Sequence, residues 1–273
     1  MWQENLRLED DYDFAGIRKR LRGDRLQVEQ DGRLFVPVML PEGNFIGQVE
    51  AVGSRELLLS GEGPQEPMVQ LLRRRFRLDT TNPSQHLSET SLSEVVSTFG
   101  AERLVLDINP FTALIRSIIH QQINLAFAQV LMERFCRTFG TEQNGVIFPP
   151  TAEQLVNVEP EQLRALQLSG RKVDYLLGAA RAAIDFDRLT EAPDATIAET
   201  LIALKVVGPW TVQNVLMFGY GREDLFPASD IGILRAFERL HGTRPSVEEA
   251  VLLAEEFTPY RSHAAYLLWR SIE

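Results

Sequence analysis

The chain has 273 residues, of which 44% are hydrophobic and 24% are charged, and its formal net charge is −10 at pH 7. This composition is typical of a soluble globular protein with two or three units around an extensive core. No apolar run approaches the roughly 20 residues that cross a bilayer, and the acidic N-terminus lacks the pattern of a secretory signal. We therefore expect a cytoplasmic, monomeric protein without membrane contact, and the acidity alone argues against nucleic acid as a partner.

The sequence contains one cysteine, Cys136. A single thiol excludes an internal disulfide, a four-cysteine zinc site and an iron–sulfur cluster. Cys136 lies in the apolar helical stripe LMERFCRTF, and we interpret it as an inert core residue. Lysine is also rare, because only Lys19, Lys172 and Lys205 occur and every other cationic side chain is arginine.

Residues 1–85 predict a mixed domain. FAGIRKRLRG has the pattern of a short helix, and DRLQVEQDGRLFVPVML, NFIGQVEAVG and ELLLSGEG alternate apolar and polar residues between Gly and Pro turns, as antiparallel strands do. PMVQLLRRRFRLD predicts a helix that leads into another strand. Its arginines are interpreted mainly as a solvated helix face, with phosphate contact as the alternative: Arg73, Arg74, Arg75 and Arg77.

Residues 86–273 predict a purely helical domain, because after TTNPSQH the apolar spacing is that of helices. FTALIRSIIHQQINLAFAQVLMERFCRTFG forms one long helical pattern or two abutting ones, and seven further helical segments follow. Residues suited to cap such segments are Thr151, Asp194, Asp230 and Ser246. The fold class is therefore α+β, with an antiparallel sheet domain in front of an all-α domain.

The segment LKVVGPWTV joins two helical patterns through one Gly-Pro step. Gly208 suits a left-handed turn or an N-cap, and Pro209 suits the first helical position, where no amide donor is needed. The free amides at such a helix start attract phosphate without side-chain charge. An anion grip and an ordinary helix connection both fit this pattern.

Asp230 follows Trp210 by twenty positions, in FPASDIGILRAF, at the start of another predicted helix. Taken alone, an aspartate in this place is interpreted as an N-cap. Together, LKVVGPWTVQNVLMFGYGREDLFPASDIGILRAFERL resembles the helix-hairpin-helix plus Gly-Pro/Asp signature of DNA glycosylases. NPFTALIRSIIHQQIN, SGRKVDYL and TPYRSHAAYLLWRS resemble further blocks of that superfamily. With the sheet domain in front, nearly the whole chain is most similar to its bacterial 3-methyladenine DNA glycosylase II (AlkA-type) branch. This resemblance implies that the helical domain consists of two lobes.

The resemblance implies roles for particular residues. Asp230 would be the catalytic carboxylate, and Gln122, with Gln121 beside it, would fill the space left by a flipped nucleotide; a solvated polar pair is the alternative. The base pocket would consist of Trp210, Trp269, Phe111 and Asn214, with core packing as the alternative for the aromatic residues. The DNA backbone would be held by Lys205, Val206, Val207, Gly208 and Thr211.

Two positions depart from the pattern of this branch. Lys205 and Val206 stand where the hairpin usually begins with Pro-Gly, and a β-branched residue adopts positive φ only at a cost. Lys205 could then contribute direct charge on the phosphate. Asn214 stands where the branch has a pocket tyrosine, which affects the shape of the pocket.

The implied reaction is hydrolysis of the N-glycosidic bond of an alkylated base in double-stranded DNA, leaving an abasic site. Relatives that also cut the strand carry a lysine where this chain has Trp210, so no lyase step is expected. No cofactor is required, no metal is expected, and a monovalent cation could bind the hairpin. Alternatives are a glycosylase for deaminated bases such as hypoxanthine or uracil, a non-catalytic DNA-binding module, and a helical scaffold for protein partners. A DNA repair role would place the protein at the nucleoid.

Overall fold

A computed structural model describes residues 1–205 and 207–273 of the chain. Its N-terminal part contains a five-stranded antiparallel sheet with the strand order β1-β5-β4-β3-β2. The strands are β1 (Trp2–Arg7), β2 (Val28–Gln30), β3 (Arg33–Leu40), β4 (Gly43–Gly53) and β5 (Glu56–Gly61). The predicted α+β class with an N-terminal antiparallel sheet is confirmed.

Helices α1 (Phe14–Leu21) and α2 (Gln65–Phe76) contribute to the hydrophobic core of this sheet. Buried side chains such as Leu57 and Leu59 alternate with less buried ones along the strands, because successive side chains point to opposite faces of the sheet. Strand β1 was absent from our sequence prediction, since its residues WQENLR form part of an acidic terminus. It pairs with β5 over its full length.

The predicted solvated face is wrong for Arg74, Arg75 and Arg77, whereas Arg73 is partly exposed and pairs with Asp79. Arg75 is 5% exposed and donates to the Gln27 side chain. Arg74 donates to the carbonyl of Gly219, and Arg77 donates to the carbonyl of Gly221 at 2.9 Å. The guanidinium groups of Arg74 and Arg77 therefore attach the sheet domain to the helical part of the chain.

The helical part contains twelve α-helices within the described residues. They are α3 (Ser84–Ser88), α4 (Ser93–Phe99), α5 (Pro110–His120), α6 (Leu125–Phe139), α7 (Ala152–Leu155), α8 (Pro160–Arg164), α9 (Gly170–Arg181), α10 (Asp194–Ile202), α11 (Pro209–Asn214), α12 (Ile231–His241), α13 (Val247–Leu253) and α14 (Arg261–Ile272). Helix α11 continues into a π-helical turn at Val215–Gly219, and α13 continues into a 3₁₀ turn at Ala254–Phe257. Among the described residues no helix is both long and apolar enough to cross a membrane.

The helices form two lobes with separate hydrophobic cores, as predicted. One core draws mainly on residues 108–220, and the other combines residues 87–106 with residues 217–268. In chain order, residues 87–106 therefore belong to the second lobe and residues 108–220 mainly to the first, and the π-helical turn leads back into the second lobe. Cys136 is fully buried in the first core. We propose that the sheet domain ends near residue 85, since its own core ends at Leu78.

Three local predictions were wrong. The helical domain contains a two-stranded sheet, β6 (Thr141–Gln143) with β7 (Val146–Phe148). No strand follows α2, because Arg77 ends that helix in the left-handed conformation at φ 57°. Asp194 is the first residue of α10, and Pro193 occupies the cap position. The caps Thr151, Asp230 and Ser246 are confirmed by side-chain hydrogen bonds.

A buried ion pair connects the segment before α5 to α14. Glu102 is 2% exposed and accepts hydrogen bonds from Nε and Nη2 of Arg270, both at 2.8 Å, and from the Tyr266 hydroxyl at 2.6 Å. Burial raises the pKa of Glu102, but the hydrogen bonds from Arg270 and Tyr266 outweigh it and hold the pKa below its usual value. On the same helix, burial lowers the pKa of His263 to about 3, so this imidazole is neutral at pH 7.

Candidate nucleic-acid site

The hairpin connects α10 to α11 through residues 203–208. Gly208 is the N-cap of α11 with φ −96°, so it is not in the left-handed region, and Pro209 takes the first helical position. A Cβ atom built on Gly208 would meet no other atom within 4 Å. The backbone at Gly208 is therefore open to close approach by a ligand.

The backbone amides of the hairpin differ in their availability. The amide of Val207 donates to the Leu204 carbonyl at 3.2 Å, so it is already occupied. Within the described residues, the amides of Gly208, Trp210 and Thr211 have no acceptor, but Thr211 is only 1% exposed. The amides of the partly exposed Gly208 and Trp210 are therefore the donors available to an anion at this helix start. Lys205 is exposed beside them, and the predicted contact residue Val206 lies outside the described residues.

Asp230 stands at the start of α12 and is held by four hydrogen bonds. Its Oδ1 accepts from the amides of Gly232 at 2.8 Å and Ile233 at 3.1 Å, and from Nε1 of Trp269 at 2.9 Å. Among the described residues, its Oδ2 accepts only from Nε1 of Trp210, at 2.9 Å. Oδ1 is thus saturated with donors, while Oδ2 keeps acceptor capacity. The side chain is half-buried, so this oxygen is not sealed in the core.

The two predicted pocket tryptophans meet at this carboxylate. Trp210 comes from the first turn of α11 and Trp269 from α14, and both rings are partly exposed. Trp269 also stacks on Phe218, with the ring centroids 6.0 Å apart. The hydrogen bonds from both indoles to Asp230 were not predicted from the sequence. A signal was available, because a partly buried indole N–H needs an acceptor.

The other two predicted pocket residues are committed to protein contacts. Phe111 is 7% exposed, belongs to the first lobe's core and packs against Phe186 with the ring centroids 5.7 Å apart. Asn214 is buried and donates to the Trp210 carbonyl one turn earlier, at 2.8 Å. Among the described contacts, neither residue touches Asp230. Their assignment to a base pocket stays a prediction.

The turn between α5 and α6, residues 121–124, is called the wedge turn here. Gln121 donates to the Thr211 hydroxyl at 3.1 Å, which joins this turn to the hairpin. Gln122 is exposed and has φ 58°, in the left-handed region that costs a non-glycine residue roughly 1–2 kcal/mol. Gln122 is therefore an exposed residue in a turn that contacts the hairpin, as a residue that enters a duplex requires.

Metal binding finds no support in the described ranges, which hold no group of three or more His, Cys, Asp or Glu side chains able to bind an ion. A monovalent cation at the hairpin would be bound by backbone carbonyls. That expectation stays a prediction, because the hairpin includes Val206.

The family model described as "HhH-GPD superfamily base excision DNA repair protein" matches residues 115–259, which include the wedge turn, the hairpin and Asp230. The chain belongs to this family. The match makes DNA the partner class and overturns the objection from net charge.

Three similar proteins extend this finding. The YfjP protein of Bacillus subtilis strain 168, whose name assigns it provisionally to the DNA-3-methyladenine glycosylases, is 36% identical over 287 positions, covering 100% of both chains. The solved 3-methyladenine DNA-glycosylase of Archaeoglobus fulgidus has a TM-score of 0.88 and 25% identity, covering 99% of this chain and 98% of its own. The Schizosaccharomyces pombe 3-methyladenine DNA glycosylase Mag1, solved with abasic DNA, has a TM-score of 0.62 and 28% identity, covering 70% and 96%.

Proposed function

We propose that this chain is a monofunctional DNA glycosylase that removes alkylated bases of the 3-methyladenine type from double-stranded DNA and leaves an abasic site. The observation that carries the proposal is the half-buried Asp230 carboxylate, which has one saturated oxygen and one oxygen with a single donor. Relatives named as 3-methyladenine glycosylases along the full length of the chain support the substrate class.

Asp230 acts on the sugar. Breaking the N-glycosidic bond leaves positive charge on the deoxyribose, and Oδ2 stabilises that charge or orients the attacking water. At about 4 Å and an effective dielectric constant near 20, one carboxylate attracts one positive charge by about 4 kcal/mol. This corresponds to roughly a thousandfold in rate. The hydrogen bonds to Oδ1 hold the group in place, so it need not reorganise during the reaction.

The positive charge of the alkylated base also favours cleavage of the N-glycosidic bond. A 3-methylated adenine in DNA already carries positive charge, so it departs as a neutral base and needs no proton from the enzyme. The partly exposed rings of Trp210 and Trp269 offer π-faces to such a cationic base, and a cation–π contact contributes about 0.5–2 kcal/mol. A second catalytic acid is therefore unnecessary for this substrate class.

The hairpin and the wedge turn handle the DNA. The amides of Gly208 and Trp210, which have no acceptor within the described residues, bind a backbone phosphate next to the lesion together with Lys205. Gln122 fills the space left by the extruded nucleotide, whose unstacking costs a few kcal/mol and least for damaged bases. Residues 86–273 contain 16 Lys and Arg against 24 Asp and Glu, so affinity relies on these local contacts and is modest and sensitive to salt.

The reaction ends at base removal. Strand cleavage by a glycosylase needs an amine that attacks the sugar, and Trp210 offers only an indole nitrogen. Of the two lysines in the helical domain, Lys205 precedes the hairpin turn and Lys172 donates its amine proton to the Ile119 carbonyl. Treatment with borohydride during the reaction should therefore trap no covalent protein–DNA complex.

The deciding experiment is a base-release assay with wild-type protein on duplexes that each carry one lesion. The panel contains 3-methyladenine, 7-methylguanine, hypoxanthine, uracil and an undamaged control. We expect release of the methylated purines. If only hypoxanthine or uracil is released, the substrates are deaminated bases and the proposed substrate class is wrong. Binding without release of any base would reduce the chain to a non-catalytic DNA-binding module.

A further inference from the structure

Lys172 is a buried cation for which the proposed reaction has no use. It lies near the start of α9, is 9% exposed, and its amine donates to the carbonyl of Ile119 in the last turn of α5. Burial lowers the pKa of the Lys172 ammonium group. Removing an ammonium group from water is costly, so its contact with α5 requires an explanation.

The position of this contact along α5 suggests one. The last carbonyls of a helix have no partner within the helix and carry partial negative charge, so a cation there is favourable. Ile119 is two residues before the wedge turn begins at Gln121. Lys172 therefore holds the helix end from which Gln122 projects.

The wedge turn is fixed at further points on both sides of Gln122. Gln121 donates to Thr211 at 3.1 Å, and Ile123 packs against the core of the first lobe. Asn124 caps α6 by accepting from the amide of Phe127 at 2.9 Å. Gln122 is exposed between these anchored residues. The backbone around it is held, while its own side chain is free to contact DNA.

We propose that Lys172 is a positioning residue for nucleotide extrusion: its ammonium group holds the end of α5 so that Gln122 is placed to enter the duplex. This inference rests on the proposed function and adds a residue that touches neither the sugar nor the base. Its loss should weaken the step in which Gln122 replaces the flipped nucleotide. It should leave hydrolysis of an already extruded base nearly unchanged.

The test compares one lesion in two contexts, fully paired and within a small bulge where extrusion is easy. Lys172→Met removes the ammonium and keeps much of the side-chain volume, and Lys19→Met makes the same change at an exposed lysine in the sheet domain. One lost hydrogen bond from a charged donor predicts a rate about 10- to 100-fold lower on the paired lesion. On the bulged lesion the rate should stay within about threefold, and Lys172→Arg should restore part of the loss.

The same measurements separate the two proposals. Asp230→Asn should slow both contexts equally, and if it slows neither, the proposed function fails. If Asp230→Asn behaves as expected while Lys172→Met slows both contexts equally, or neither, the positioning role is overturned. Circular dichroism checks that each variant folds. If Lys172→Met does not fold, Lys172→Gln, which keeps a neutral donor, replaces it. The same ratio, the rate on the paired lesion divided by the rate on the bulged lesion, is then measured for that variant.

Discussion

Replacing Asp230 by Asn tests the central assignment with a change of one atom. Asparagine is as good an N-cap as aspartate, and its Oδ1 can keep the hydrogen bonds from Gly232, Ile233 and Trp269. Its Nδ2 then faces the indole N–H of Trp210, so two donors meet where a donor met a carboxylate. The reversed amide is worse, since Nδ2 would face three donors.

These contacts predict separate effects on stability and on rate. The lost hydrogen bond to a charged acceptor should reduce the free energy of unfolding by roughly 1.5–3 kcal/mol. The lost charge should reduce the rate of base release by roughly a thousandfold, from an attraction of about 4 kcal/mol. Binding to a duplex with an uncharged abasic analogue should change little, because the hairpin and the wedge turn are unaltered.

The assay is single-turnover release from a labelled duplex with one methylated purine, with enzyme in excess and alkaline cleavage at the abasic product. Asp13→Asn is the matched control. Asp13 also caps a helix, accepting from the Gly16 amide at 2.9 Å, but it lies in the sheet domain. A folded Asp230→Asn variant that releases the base within about threefold of the wild-type rate would refute the catalytic role.

Three further predictions follow from the described contacts. Trp269→Phe removes one donor to the carboxylate and should slow base release about 10- to 100-fold in the same assay, whereas an unchanged rate would show that this contact is dispensable. Arg270→Met leaves Glu102 charged and buried, so urea unfolding should show a loss of about 3–5 kcal/mol, and a loss below 1 kcal/mol would contradict the importance of the pair. His263 has a pKa of about 3 in the folded protein and about 6.5 in the unfolded protein. As the pH falls, the unfolded state therefore binds the proton first. Between pH 6.5 and pH 3 this residue lowers the free energy of unfolding by about 1.4 kcal/mol for each pH unit of acidification. His263→Phe should remove that part of the slope of unfolding free energy against pH, and an unchanged slope would contradict the assignment.

The sequence predicted the elements whose pattern is strong and local. Alternation identified β3 to β5, and helical spacing with capping residues identified most of the helical lobes. Strand β1 and the β6–β7 pair were missed because their residues are polar or few, and because pairing with a distant strand decides their conformation. Arg74 and Arg77 were misjudged for a related reason. Their carbonyl partners lie about 145 positions later, and no local pattern can predict them.

For the site, resemblance identified Asp230 and the tryptophans as neighbours, while the geometry among them came only from the structure. Residues 210, 230 and 269 belong to three different elements, and spacing alone does not say which atoms meet. Lys172 illustrates the same limit. Its sequence context is an ordinary helix start, and only the packing of α9 against α5 brings its amine to the Ile119 carbonyl.

The attachment of α2 to the chain beyond α11 has a consequence for how the protein assembles. Arg74 and Arg77 leave the ribosome long before Gly219 and Gly221, the glycines whose carbonyls they bind. Contacts this distant in sequence form late, after a large entropy of loop closure has been overcome. In the nascent chain, the guanidinium groups of Arg74 and Arg77 therefore remain solvated until most of the chain has been synthesised. Docking of the sheet domain through these two arginines therefore requires the chain as far as Gly221, which lies beyond the helix that carries Trp210.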